Sequence, residues 1–177
     1  MARKISAIAL ELADREAIRD TLMSYPRALD RIDMDIAAKV YWPEAIDDHA
    51  GMFDGKMAEH RKIIERNLRA TDATQHFYAN ILIEIDGSEA RTETYAVAYH
   101  GHDHEGQKAS WIIGGRALDR LEKRDDEWRI VERRLVFDWA KHFRDPQGLE
   151  DPLAHSINGG RAPDDLSMGH FKKLFAA

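Results

Sequence analysis

From Thr74 to Ile85 the chain reads T-Q-H-F-Y-A-N-I-L-I-E-I and closes on Asp86-Gly87. The alternation makes this stretch an extended strand. Phe77, Ala79, Ile81, Ile83 and Ile85 fall on one side, and His76, Tyr78, Asn80, Leu82 and Glu84 on the other. Asp-Gly is a hairpin turn, so a second strand follows from Glu89 to His100. His76 therefore opens the first long strand of an antiparallel sheet, with Asn80 expected on its own side. The isoleucine side is too apolar for water and needs cover, which points to a homo-oligomer, a dimer or trimer.

The rest of the chain supplies helices before this sheet and strands after it. Ile18, Leu22, Tyr25 and Leu29 form one apolar stripe, so residues 8 to 31 read as a long helix. Asp14-Arg15-Glu16 could restart it, and Pro26 should kink it or end it early, since an interior proline costs ~3 kcal/mol. Met34 to Val40 reads as a short helix stopped by Pro43, Glu44 to Gly55 as a short hairpin, and Lys56 to Ala70 as a third helix. After the two long strands come a polar loop, Gly101 to Lys108, a third strand, Ala109 to Glu122, and a fourth, Trp128 to Phe137. Gly114-Gly115 fits a bulge that curls the sheet. The order predicts an α+β fold, helices packed on one face of a curved antiparallel sheet. The domain is expected over 1–139. Residues 140–177 form a tail that lids the pocket or reaches an interface, with a last helical turn at Phe171 to Phe175.

Composition removes several classes of function. The 177 residues contain no cysteine, which excludes thiolate metal sites and cysteine nucleophiles and suits the cytoplasm. The formal net charge is −6 and no dense basic run occurs, so nucleic acid is not an expected partner. No apolar run is long enough for a bilayer, and the N-terminus reads as mature protein. The expected partner is a small-molecule substrate.

Several stretches resemble the NTF2-like, or SnoaL-like, superfamily: Tyr25 to Asp35 (Y-P-R-A-L-D-R-I-D-M-D), Gln75 to Asn80, Ile112 to Ile130 and Arg133-Arg134. The chain looks closest there to the lyases scytalone dehydratase, hexachlorocyclohexane dehydrochlorinase and bile acid 7α-dehydratase. The resemblance implies a cone-shaped fold and cofactor-free proton abstraction by a histidine that an aspartate orients. The matching positions are His76 and Asp30, with Tyr25 and Arg133 as further matches. It implies a dehydratase-like elimination, no cofactor and no metal. The alternatives are an isomerase of the ketosteroid isomerase kind, a carbon–carbon lyase, and a non-catalytic ligand-binding or structural subunit.

The residues carry their own readings. A carboxylate on one imidazole nitrogen fixes the tautomer and makes the other nitrogen a base; otherwise Asn80 or solvent satisfies His76. Tyr25 either holds a substrate oxygen or packs in the core. Arg133 either faces the cavity or pairs on the outer face, as strand register decides. Tyr41, Trp42, Phe53 and Trp111 are expected to include pocket walls. His49, in D-D-H, is a second candidate acid or base, or else a loop residue. His100, His102 and His104 alternate, but a solvated loop is the preferred reading over a metal site.

Overall fold

The computed structural model describes residues 2–104, 107–144, 160–165, 167 and 170. Its elements are α1 (Ala2–Arg31), α2 (Met34–Lys39), β1 (Tyr41–Asp48), β2 (Asp54–Lys56), α3 (Met57–Arg69), β3 (Ala73–Asp86), β4 (Glu89–His104), β5 (Gln107–Arg124) and β6 (Glu127–Arg144). One six-stranded sheet runs in the order β2-β1-β6-β5-β4-β3. It is antiparallel except where β1 lies parallel to β6. The α+β expectation is met, with that one parallel pair added by the return of the early hairpin to the far edge. Among the described residues, no helix is long and apolar enough to cross a membrane.

The stripe Ile18, Leu22, Tyr25 and Leu29 is buried and forms the centre of the core with Leu121, Trp128 and Ile130 of the sheet. Helix α1 runs through Pro26 to Arg31, neither ending early nor restarting at Asp14. Burial of the stripe outweighs the cost of the proline, because tertiary packing supplies most helix stability in a protein. Asp14 sits mid-helix instead and accepts hydrogen bonds from Lys123 Nζ (2.8 Å) and Trp128 Nε1 (2.9 Å). That clamps the helix to the β5–β6 turn.

Strand β3 departs from simple alternation. Its pairing with β4 shifts between Ala79 and Leu82, and Asn80 there has φ 49°. Asparagine tolerates this left-handed backbone better than most residues. The extra residue exchanges the two faces. Before the bulge His76 and Tyr78 face the helices; after it Ile81, Ile83 and Ile85 do, packing against the core. Phe77 and Leu82 share the outer face, and Asn80 is exposed. The expected grouping of the isoleucines with Phe77, and of Asn80 with His76, is therefore incorrect: α1 covers the isoleucines.

The β5–β6 register also shifts at Gly114-Gly115, as the glycines suggested, but the extra residue is Asp138 on β6. A Cβ on Gly114 would run into the Trp139 indole, and one on Gly115 into the Val136 carbonyl. The expected loop Gly101 to Lys108 is mostly strand, since β4 continues to His104 and β5 begins at Gln107. Strand β6 runs to Arg144, past the expected boundary at 139. The predicted turn at Phe171 to Phe175 lies outside the described residues. The described part of the tail returns to the end of α1. Arg161 donates to the Asp30 carbonyl (2.7 Å) and Thr74 Oγ1 (2.7 Å), and Ala162 N to the Arg31 carbonyl (2.7 Å). These bonds satisfy carbonyls that a helix end leaves unpaired.

The bulge makes a testable demand. Asn80→Val forces a β-branched residue into left-handed backbone and should lower stability by about 1–2 kcal/mol. Thermal unfolding should show a drop of several degrees, with Asn80→Gly close to wild type; an unchanged Val variant would mean the bulge is not held as described.

Candidate active site

One cavity of about 610 Å³ opens between the helices and the inner face of the sheet. Its wall is largely apolar, with Leu29, Ile63, Ile64, Ile113 and Leu135 among the lining residues. A few polar groups converge on it, as in most small-molecule sites.

His76 and Asp30 meet there. His76 Nδ1 lies 2.6 Å from Asp30 Oδ1, and the His76 backbone N–H donates to Asp30 Oδ2 at 2.9 Å. Both side chains are about nine-tenths buried. The carboxylate thus grips ring and backbone together, which fixes the imidazole in direction as well as tautomer. With Nδ1–H given to Asp30, Nε2 is the ring's free nitrogen, on a residue that lines the cavity. Asp30 reaches this position because α1 continues past Pro26. His76 reaches it because it precedes the bulge.

Arg133 is the largest fully buried side chain among the described residues, 1% exposed. Its Nε and Nη2 donate to the two carboxylate oxygens of Asp119, each at 2.7 Å. Three tyrosine rings surround the guanidinium: Tyr25 at 4.7 Å, Tyr41 at 5.5 Å and Tyr78 at 5.9 Å. Nη1 has no hydrogen-bond partner among the described residues, and Arg133 lines the cavity. A buried cation with a spare N–H is suited to hold a developing negative oxygen. Burial pushes the Tyr25 phenol well up, against the pull of Arg133, so Tyr25 stands ready as a donor.

Opposite β3, a second group meets. Asp47, fully buried on β1, lies 3.2 Å from His49 Nδ1 and 3.0 Å from His60 Nδ1 through the same oxygen. Burial alone would raise this carboxyl. Hydrogen bonds from the two imidazoles, helped by the charge of Arg133, outweigh that and bring it down to about 2. Phe53 stacks on His60 with ring centres 4.3 Å apart and planes 7° apart. The three donor atoms lie within 4.8 Å of one another, close enough to share a cation.

The remaining expectations divide. His49, Arg133, Tyr25, His76 and Trp111 line the cavity. Tyr41 backs Arg133 and Phe53 backs His60 from behind the wall. Trp42 lies elsewhere: its Nε1 donates to the Glu122 carbonyl (3.1 Å), and Arg124 and Arg129 stack on its ring. Asn80 is on the outer surface. Three of the residues that build the site, Asp47, His60 and Asp119, gave no signal of their own in the sequence. His100, at the end of the expected second strand, stands on β4 with its ring 5.1 Å from His76. His102 instead stacks near Trp111 and His142.

Residues 10–134 match the family model described as a SnoaL-like domain. The chain belongs to the SnoaL-like family. A search of curated proteins returned no match. Among solved structures it resembles a putative scytalone dehydratase from Novosphingobium aromaticivorans (21% identity, 80% of this chain and 97% of that one, TM-score 0.63). It also resembles a type 3 hexachlorocyclohexane dehydrochlorinase from Novosphingobium barchaimii (17%, 80% and 97%, 0.69) and the Kfla4162 protein of Kribbella flavida (18%, 74% and 95%, 0.67). At these identities the likeness shows a shared SnoaL-like fold and leaves the reaction to the residues.

His100 gives a pH prediction. Burial, and then the neighbouring His76, push its ring from the ordinary 6.5 down to about 4. The folded state therefore holds it neutral, and its contribution to stability is complete above pH 6.5 and lost as the pH falls towards 4. The loss should be of order 2 kcal/mol after allowance for solvent screening. Urea unfolding at pH 7, 5 and 4 should show it, and His100→Gln should flatten that slope; an equal slope in the variant would contradict the assignment.

Proposed function

We propose that this SnoaL-like chain is a cofactor-independent lyase that carries out a dehydratase-like elimination. The observation that carries the reading is the His76–Asp30 contact at 2.6 Å on the wall of an apolar cavity. His76 Nε2 takes a proton from a C–H beside a carbonyl or ring. Asp30 stabilises the imidazolium that forms. Tyr25 and the spare N–H of Arg133 hold the oxygen on which charge develops. The substrate is a small, largely apolar molecule with a hydroxyl or similar leaving group, of the aromatic, steroid or polyketide classes. The dehydrochlorinase and putative dehydratase among its structural neighbours support this reading. An open cavity and a closed dyad weigh against a purely structural subunit, whose cone would be filled.

Wild type and His76→Ala, incubated without metal or nucleotide with such a panel, should separate by mass spectrometry. Wild type alone should release water, or formaldehyde if the bond broken is carbon–carbon. Asp30→Asn should lower the rate by about two to four orders of magnitude through the wrong tautomer. Activity that survives both substitutions would exclude the dyad as the base.

The outer sheet face supports an assembly of identical chains. Phe77, Val97, Gly114 and Trp139 form one hydrogen-bonded row, with Phe77 58% and Trp139 48% exposed. Such a patch on a sheet marks an interface. Light scattering after size exclusion should give a dimer or trimer mass, and Trp139→Lys should shift it towards monomer; a monomeric wild type would refute this. The cysteine-free composition fits a cytoplasmic setting.

A further inference from the structure

We propose that His49 and His60, seated on Asp47, are the acid side of the reaction and deliver the proton that lets a hydroxyl leave as water. The inference rests on the lyase reading and adds to it the group that the dyad lacks.

An ionised carboxylate can only accept hydrogen bonds. Asp47 is held ionised, so both Nδ1 atoms facing it carry hydrogen. Each ring then has one nitrogen left, Nε2, and both rings line the same cavity as His76. The two rings meet edge-to-face with centres 4.6 Å apart. An anion behind two imidazoles offsets one added proton, so the cluster can hold a proton at Nε2 and release it. The surroundings hold it firm. Phe53 stacks on His60, Phe137 meets the edge of His49, and the His49 N–H donates to the Phe53 carbonyl (2.7 Å) in the turn that follows β1. Arg133, on β6, is the cation that also acts on Asp47. His76 stands apart on β3 with its own aspartate, so the two proton-handling groups come from different elements of the fold.

The step balances without any further reagent. His76 Nε2 takes the proton, and the C–H electron pair becomes the new carbon–carbon double bond. The C–O bond breaks with its pair going to oxygen, and the Nε2–H of an Asp47-bound imidazole protonates that oxygen. The products are an alkene and water, His76 is left protonated, and the Asp47 cluster is left neutral at Nε2. Exchange with solvent restores both.

A hydroxyl needs this proton and a chloride does not, which supplies the test. A matched pair of probes on one aryl ketone framework, a β-hydroxy ketone and its β-chloro counterpart, is turned over by wild type, His49→Gln, His60→Gln, the double variant and His76→Ala. The double variant should lose kcat/KM for the hydroxy ketone at least about a hundredfold more than for the chloro ketone, the scale of general acid catalysis. His76→Ala should lose both alike. The single variants carry the same comparison if the double variant does not fold. Equal losses for the two leaving groups, or no loss, would overturn the proposal. So would activity abolished by EDTA and restored by zinc, which would make the cluster a metal centre. Failure of wild type on both probes would instead overturn the lyase reading, and this role with it.

Discussion

The structure is tied together at one buried cation. Arg133 comes from β6, its counter-ion Asp119 from β5, and the rings around it from α1 (Tyr25), β1 (Tyr41) and β3 (Tyr78). Five elements converge on one guanidinium. Burying an unpaired charge costs several kcal/mol, and a two-bond carboxylate partner is the usual remedy. Here the remedy uses Nε and Nη2 and leaves Nη1 without a partner among the described residues. The fold therefore pays for a charge in its interior and leaves Nη1 of it unpartnered on a residue that lines the cavity. That combination, a fixed positive group with a spare donor in dry surroundings, is worth more to a developing oxyanion than any mobile surface lysine.

The same economy appears in Asp30. An acid near a helix C-terminus is disfavoured by the helix dipole. In place it receives the His76 ring and the His76 backbone N–H, while Arg161 from the tail takes its backbone carbonyl. The end of α1, the start of β3 and the returning tail are thus joined at the His76–Asp30 pair. This gives the described part of the tail a physical role, since Asp165 also pairs with Arg31 at 3.1 Å. The dyad is held from three sides before any substrate arrives.

How far the sequence could be read follows from what each residue's signal consists of. The stripe on α1, the hairpin at Asp86-Gly87 and the irregularity at Gly114-Gly115 are local patterns, and all three stand, the last with its extra residue on β6. His76 and Asp30 were legible through family resemblance, because 46 residues separate them and no spacing rule joins them. The faces of β3 were misread after Ala79, since one residue in left-handed backbone reverses every later side chain without disturbing the alternation of letters. The asparagine at 80 was the available clue: it is the residue type that such a bulge tolerates. Asp47 and His60 were invisible for a different reason. Their meeting depends on how α3 packs over β1, and nothing in either segment alone announces it.

Two imidazole groups stand on separate elements, each with its own carboxylate, and on the proposed mechanism one removes a proton while the other supplies one. On β3 the aspartate partner comes from a helix end and grips backbone as well as ring, which favours a fixed base. Beside β1 one carboxylate serves two rings, which favours a reservoir whose charge is shared. The sheet holds the two apart, because β6, β5 and β4 lie between β1 and β3.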